Sequence, residues 1–385
     1  MKTARSFYFI YFAAAACLIP FLSLYYRELG LSGREIGFLA ALAPLITLAG
    51  ASIWGAIADA TGKYRLILLV AITGTWLSVF LLLQANTFAL LIPIVAIYAF
   101  FVAPIIPLVD NTVMFMLGAR KGEYGRQRVW GAYGWGAAAA IAGLIIQQSG
   151  LSWAFYTYLA LLLVLLVVAT RFPIQQSTLN GKFWNGLRLL LTNRQWLLFL
   201  GVVLIEGMCL GIIMNYLFLY LDELGTSRVI MGLTLTVATI SEIPIFLNSR
   251  KLLKWGAPFL LALSLFFLVI RSFAYANMTA AWQVLVISLL HGPTFSAMWA
   301  AGVAYANEIA PPGLGATAQG VFNGTVLGLG TALGAFTGGY LYDASGAVSA
   351  FRLAGWASLA AFLVFFLAHR HLFLHQLKIT LKMNH

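Results

Sequence analysis

The chain alternates long apolar runs with short polar connections. Because lipid offers no hydrogen-bond partners to open backbone groups, each run long enough to span a bilayer should be an α-helix. The pattern predicts an all-α membrane protein with twelve transmembrane helices, near residues 7–28, 35–58, 65–84, 88–117, 129–148, 152–172, 196–221, 230–249, 257–275, 280–307, 314–341 and 350–368.

The chain also repeats itself at about half its length. LSLYYRELGLSGREIG, from Leu22, aligns with LFLYLDELGTSRVIMG, from Leu217, at an offset of 195. SGLSWAF, from Ser149, answers SGAVSAF, from Ser345, at an offset of 196. The repeat predicts two pseudo-symmetric six-helix bundles, 1–172 and 196–385, the second ending in a short cytoplasmic tail. A cytoplasmic linker, 173–195, joins them. A cavity between such halves, near the bilayer midplane, is where a transporter binds its substrate.

Composition and charge agree with this picture. Hydrophobic residues make up 62% of the chain and charged residues only 9%, whereas soluble domains carry about 25% charged residues. The formal net charge is +12, but 18 of the 23 Lys and Arg lie on the side of the amino terminus and four on the other. This asymmetry predicts a plasma (inner) membrane protein with both termini cytoplasmic, and it explains the basic charge without nucleic acid.

Five ionisable side chains fall inside the predicted spans. Such groups are costly in lipid and usually face the bundle interior, where they mark proton or substrate pathways. A carboxylate that meets an arginine in only one conformation can carry a proton. The alternative is that each residue simply pins two helices together. The proton-coupling candidates are Asp110, Glu206, Glu242, Arg271 and His291.

Neutral polar and aromatic side chains within the spans are the candidate substrate contacts. Gln319 and Asn323 share one helix face at spacing i, i+4. The alternatives are interhelical hydrogen bonds and, for the aromatic residues, the interfacial belt, which is favoured for Trp130. The full set is Asn111, Trp130, Asn215, Tyr216, Trp299, Gln319 and Asn323. A single buried histidine without a second ligand one turn away does not indicate a metal, and no cofactor is expected.

A polar, basic connection, GAIADATGKYR (Gly55–Arg65), turns the chain between the second and third runs. By charge and glycine content it fits any short loop between two membrane helices. It also resembles the signature between helices 2 and 3 of the major facilitator superfamily, although Ala60 stands at a usually basic position. The residues that match, and for which the resemblance implies gating, are Gly55, Asp59, Gly62, Lys63 and Arg65.

Other segments resemble the phenylpropionate-permease-like branch of that superfamily, distant relatives of lactose permease. They include YGRQRVWGAYGWG from Tyr124, SEIPIF from Ser241 and LLHGPTF from Leu289. The resemblance implies a two-bundle, twelve-helix fold and proton symport by alternating access. It matches Glu242, Arg271 and His291 to the helices that handle sugar and protons. Thr294 replaces a carboxylate of lactose permease, which leaves Glu242 or Glu206 to carry the proton.

These observations predict a monomeric secondary active transporter in the lipid bilayer, and not an enzyme. It would import a small organic solute, such as an aromatic carboxylate, sugar or nucleoside, together with protons. An exporter working by proton antiport is the alternative, but the fifth span lacks the glycine-proline signature of many exporters. An intramembrane enzyme would need a paired-carboxylate or metal-binding motif, and neither Asp-x-x-Asp nor His-Glu-x-x-His is present. A sensor that binds solute without moving it is a further alternative.

Overall fold

A computed structural model describes residues 1–172, 189–190, 192–312 and 314–383. In this part of the chain the first half contains six long helices, α1 Lys2–Glu28, α2 Gly33–Thr61, α3 Tyr64–Gln84, α4 Phe88–Leu117, α5 Tyr124–Ser149 and α6 Ser152–Thr170. The second half contains α7 Arg194–Glu223, α8 Arg228–Trp255, α9 Ala257–Ala276, α10 Gln283–Ile309, α11 over residues 315–345, and α12 Ala347–Met383. The predicted all-helical membrane fold is confirmed.

Eleven of these helices in the described residues, all except α11, are long and apolar enough to cross a membrane. Helix α11 occupies the position predicted for the remaining span. It is continuous through three segments, Gly315–Asn323, Gly324–Gly330 and Thr331–Ser345, of which the middle one is π-helical. At about 1.5 Å per residue, its length also suffices to cross a bilayer.

The predicted linker, 173–195, lies mostly outside the described residues. Its last two residues already belong to α7, which begins at Arg194 and not at 196. The reason is local, because the Asn193 side chain accepts hydrogen bonds from the backbone N–H groups of Gln195 and Trp196 and so caps the helix.

Equivalent residues of the two halves adopt equivalent structures. Gly30 and Gly225, 195 residues apart, both end a helix with positive φ, at 83° and 68°. Tyr25 donates to the backbone oxygen of Leu83, and Tyr220 donates to that of Met278, which again lies 58 residues further along. The internal repeat read from the sequence is therefore a structural repeat.

Because consecutive helices alternate in direction, the turns lie at two faces of the bundle. We call the face with the α2–α3 turn, at Gly62 and Lys63, the terminal face, since α1 begins and α12 ends there. We call the opposite face, with the α1–α2 and α7–α8 turns at Gly30 and Gly225, the distal face.

The two halves pack against each other through glycines. On α5 and α8, Gly143 and Gly232 lie so close that a Cβ on Gly232 would collide with the backbone oxygen of Ala139. On α2 and α11, a Cβ on Gly339 would collide with the backbone oxygen of Gly33. These contacts, and the hydrogen bonds that join the halves, occupy the distal half of the bundle. The halves therefore meet at the distal face in this conformation.

Candidate functional site

Arg271, His291 and Glu242 form a continuous hydrogen-bonded chain across three helices. Arg271 Nη1 on α9 lies 2.8 Å from His291 Nδ1 on α10, and His291 Nε2 lies 3.0 Å from Glu242 Oε1 on α8. Arg271 is 5% exposed, and the side chains of His291 and Glu242 are each 16% exposed. The sequence placed these three residues on separate helices, and the structure brings them together.

The chemistry of arginine sets the tautomer of His291. Arginine has only donors, so His291 Nδ1 must accept, and the ring proton lies on Nε2. Nε2–H then donates to Glu242 Oε1. The chain thus joins a guanidinium, an imidazole and a carboxyl group through two hydrogen bonds.

Two further hydrogen bonds join Arg271 to protein groups. Nη1 donates to Thr294 Oγ1 at 3.0 Å and Nη2 donates to the Tyr275 hydroxyl at 3.4 Å. Sequence reasoning missed both partners. Tyr275 lies four residues after Arg271, on the same face of one helix, so helical spacing could have identified it. The sequence marked Thr294 only as a position at which this chain differs from lactose permease.

A distortion of α10 positions His291. Pro293 lacks a backbone N–H, which removes one helical hydrogen bond, and Gly292–Ser296 is π-helical. Gly292 lies directly against α8, where its backbone N–H donates to Ser241 Oγ at 2.9 Å. A side chain at position 292 would collide with the backbone oxygen of Ser241, so this close approach requires glycine. Glu242 is the next residue on α8, which brings its carboxylate within reach of His291.

An aromatic row continues from His291. The ring of Phe295 stacks on the His291 ring with centroids 5.2 Å apart, Trp299 follows at 5.7 Å, and Phe322 of α11 lies 5.4 Å from Trp299. Gln319, one turn before Phe322 on α11, donates from Nε2 to the backbone oxygen of Val303 at 2.8 Å. Asn323 is exposed. The predicted contacts Trp299, Gln319 and Asn323 thus belong to one α10–α11 surface.

The remaining predicted substrate contacts lie elsewhere. Tyr216 is fully buried, and its hydroxyl donates to the backbone oxygen of Ala335 at 2.6 Å, so it packs the α7–α11 interface in this conformation. Asn215 Nδ2 donates to Gly211 of its own helix. In the first half, Asn111 is half-buried, and Trp130 on α5 is 37% exposed with its ring nearly perpendicular to that of Tyr133.

Asp110 belongs to a separate cluster in the first half. The Tyr8 hydroxyl of α1 donates to Asp110 Oδ1 at 2.5 Å, and Tyr124 and Arg128 lie nearby. The guanidinium of Arg128 also stacks over the Tyr8 ring, 5.3 Å from its centroid. The structure therefore does not bring Asp110 together with the chain formed by Arg271, His291 and Glu242.

Glu206, on α7, is buried next to α9. Its Oε1 lies 2.8 Å from Ser264 Oγ, within hydrogen-bond distance, and the Ser264 hydroxyl also lies 2.7 Å from the backbone oxygen of Leu261. The sequence indicated no partner for this carboxylate, because the pairing joins residues 58 positions apart on two helices that are apolar on all sides. In the described residues, no group of three or more His, Cys, Asp or Glu is placed to hold a metal ion.

The predicted gating loop makes its contacts within the first half. Asp59 Oδ1 accepts from the Tyr64 hydroxyl at 2.6 Å, and Arg65 Nη2 donates to the backbone oxygen of Phe172 at 3.0 Å. Gly62 ends α2 with φ of 65°, the left-handed conformation expected of it. Lys63 is exposed, and a Cβ on Gly55 would meet open space.

Two six-helix halves with polar groups buried between their helices are the architecture of a membrane transporter. The family model described as "MFS_1 like family" matches residues 2–353. The chain belongs to this family of major facilitator superfamily transporters.

Two curated relatives cover almost the whole chain. "Uncharacterized transporter YwbF" of Bacillus subtilis is 28% identical over 93% of this chain and 90% of its own. "Maltose permease" of Geobacillus stearothermophilus is 29% identical over 88% of this chain and 86% of its own. The crystal structure of nucleoside transporter NupG matches with a TM-score of 0.82 at 17% identity, covering 97% of this chain and 98% of that one, and it supports the fold.

The branch of the superfamily is also supported. "Probable 3-phenylpropionic acid transporter" of Escherichia coli is 23% identical over 77% of this chain and 80% of its own. The family and these relatives are transporters, so the predicted class of protein is confirmed.

Proposed function

We propose that the protein takes up a small neutral organic solute, such as a sugar or nucleoside, together with a proton. The observation that carries this proposal is the hydrogen-bonded chain of Arg271, His291 and Glu242 between α8, α9 and α10. An ion pair is costly in an apolar interior, and intramembrane ionisable groups commonly form proton relays.

In the proposed cycle Glu242 carries the transported proton. When ionised, it accepts from His291 and balances the charge of Arg271 through the imidazole. When it takes up a proton on its second oxygen, the cluster gains a positive charge. Binding of solute against the α10–α11 surface then accompanies the conformational change, and release of the proton restores the neutral cluster. We propose that Asp110, in the first half, also takes part in proton coupling through its contacts with Tyr8, Tyr124 and Arg128.

The burial of Arg271 among protein groups favours a neutral solute. A carboxylate ligand typically binds both prongs of a guanidinium fork. Here Nη1 serves His291 and Thr294, Nη2 serves Tyr275, and the side chain is 5% exposed. The aromatic row at Phe295 and Trp299 supplies a surface for a sugar or base ring, and the exposed amide of Asn323 supplies hydrogen bonds.

Contacts between the halves support a conformation open to the terminal face. We identify this face with the cytoplasm of the plasma (inner) membrane, because the basic residues collect there. The α2–α3 loop, with Gly55, Asp59, Gly62, Lys63 and Arg65, is proposed to contact the second half once the distal face opens. We propose that a single chain performs the cycle.

Purified protein in proteoliposomes tests the proposal. An imposed pH gradient, acidic outside, should drive accumulation of maltose or uridine above its equilibrium level, and 3-phenylpropionate should accumulate less. Preferential accumulation of 3-phenylpropionate would contradict the neutral-solute assignment. Accumulation under the reverse gradient would identify an antiport exporter instead, and accumulation that is indifferent to the gradient would contradict proton coupling.

A further inference from the structure

Seven buried side-chain polar atoms have no hydrogen-bond partner among the described residues, and two of them belong to ionisable side chains. These two are Glu206 Oε2 on α7 and Arg271 Nε on α9. The residues are 4% and 5% exposed. Buried polar atoms in proteins are nearly always paired, so each unpaired atom requires an explanation. One of these atoms is an acceptor and the other is a donor.

Glu206 and Arg271 also line the same small cavity. Its volume is about 20 Å³, and its walls are otherwise mostly apolar, formed by Leu210, Ile213, Leu268, Thr294, Phe295 and Met298. A cavity of this size accommodates one water molecule when at least two polar groups face it.

We propose that one water molecule occupies this cavity. It accepts a hydrogen bond from Arg271 Nε–H and donates one to Glu206 Oε2, so that both unpaired atoms are satisfied. Arg271 then lies between two carboxylates. It reaches Glu242 through His291 on one side and Glu206 through the water on the other.

The charge of Arg271 determines which of the two carboxylates holds a proton. This step rests on the proposed function. While Glu242 is ionised, its charge already balances that of Arg271, so a second ionised carboxylate in this apolar interior would be uncompensated. Glu206 therefore holds a proton and remains neutral: the proton lies on Oε1 and is donated to Ser264 Oγ, whose own hydroxyl proton goes to the backbone oxygen of Leu261, and Oε2 accepts from the water. Glu206 thus becomes the second proton-holding carboxylate of the transporter, although it has no direct contact with Arg271 among the hydrogen bonds of the structure.

Hydroxyl-radical footprinting tests the water site without measuring transport. Radiolysis of ordered water produces radicals that oxidise an adjacent methionine to the sulfoxide, and mass spectrometry locates the product. Met298 lines the cavity and is 3% exposed, whereas Met208, on α7 outside the cavity, is 6% exposed. We expect Met298 to be oxidised several-fold faster than Met208, despite its lower exposure. Oxidation of Met298 at or below the rate of Met208 would overturn the proposal.

Two substitutions of similar size at one position test the partner of the water. Glu206→Gln keeps a polar atom at the cavity, so rapid oxidation of Met298 should persist. Glu206→Leu makes that wall apolar and leaves Arg271 Nε as the one unpaired polar atom among the described residues of the lining, fewer than the two partners that a buried water needs. Oxidation of Met298 should then fall to the rate of Met208. Equal oxidation in both variants would contradict a water held by Glu206.

These outcomes are separable from those of the proposed function. If the water is present but the pH gradient drives no accumulation, proton coupling fails and the water site stands. If Met298 stays unoxidised in a protein that accumulates solute, the bridge from Arg271 to Glu206 fails and the coupling by Glu242 stands.

Discussion

The Asp343 carboxylate at the end of α11 accepts a hydrogen bond of 2.6 Å from the backbone N–H of Gly33 at the start of α2. The two residues belong to different halves, and Asp343 Oδ2 also accepts from the N–H of Arg34 at 2.9 Å. An anion is favourable at a helix amino terminus, where free N–H groups and the helix dipole attract it. This contact therefore holds the halves together at the distal face.

The internal repeat creates the same contact a second time. Gln147 at the end of α5 accepts a hydrogen bond of 2.7 Å from the backbone N–H of Arg228 at the start of α8. Arg228 follows Gly33 by 195 residues, and Asp343 follows Gln147 by 196, which are the two offsets of the repeat. Each half thus caps a helix of the other, once with a carboxylate and once with a neutral amide.

Removing the negative charge of Asp343 should weaken the contact between the two halves at the distal face. We expect Asp343→Asn to destabilise the distal-closed conformation by about 1–2 kcal/mol, since hydrogen bonds to charged groups contribute about 1.5–3 kcal/mol. Nitroxides at Asn86→Cys and Thr279→Cys, exposed on distal turns of different halves, report the separation by electron–electron double resonance. The fraction of longer distances should rise about 5–30-fold.

Asp222→Asn is the matched control for this substitution. Asp222 is an acid on the same face, but it pairs with Arg228 of its own half. The distribution of nitroxide distances in Asp222→Asn should resemble that of the parent protein. If both variants behave alike, the capping of α2 by Asp343 does not determine closure.

A side chain at the glycine contact should have a larger effect than loss of a hydrogen bond. Gly232→Ala places a methyl group against the backbone oxygen of Ala139 on α5, where there is no room. We expect the distal face to stay open and the transport rate to fall. In Gly201→Ala the added Cβ meets nothing within 4 Å, so this variant should transport normally. Normal transport by Gly232→Ala would show that the α5–α8 contact is not needed.

A substitution at Tyr216 distinguishes a role in helix packing from a role in solute binding. Tyr216→Phe removes the hydroxyl that donates to Ala335, and we expect the free energy of unfolding to fall by about 0.5–1.5 kcal/mol. Because the residue is buried at the α7–α11 interface, solute affinity should change little. Trp299→Ala should instead weaken binding, as measured by thermal shift with maltose or uridine. A large loss of solute affinity in Tyr216→Phe would show that Tyr216 belongs to the binding site.

Replacement of Arg271 by lysine, which also carries a positive charge, should abolish transport. Lysine keeps the charge but cannot reproduce a planar fork that reaches His291, Thr294 and Tyr275 at once. We expect Arg271→Lys to lose both accumulation and solute exchange and to melt at a lower temperature. Retained exchange would mean that charge alone suffices at this position.

Much of the fold could be predicted from sequence, because hydropathy and the repeat are properties of single segments. The same logic placed Glu242, Arg271 and His291 inside spans. Contacts between helices were harder to predict, since α7 is apolar on all sides and no pattern shows which face meets a neighbour. The contact of Glu206 with Ser264 and the hydrogen bond of Tyr216 to Ala335 depend on that missing information. Asp343 lies at a helix end, where an acid ordinarily indicates solvent, and only the packing of the halves reveals its capping role.

The central claim is that Glu242 carries the transported proton. Glu242→Gln imitates the protonated acid, so solute exchange across the membrane should continue at the parent rate. Accumulation driven by the pH gradient should be lost, because the amide can neither bind nor release a proton.

Glu308→Gln, the same change at an exposed position on α10, is the control and should accumulate solute normally. The most direct measurement is therefore uptake of labelled solute by proteoliposomes with an acidic exterior, compared between these two variants. We expect exchange without accumulation for Glu242→Gln, and accumulation at the level of Glu308→Gln would contradict a proton-carrying role of Glu242.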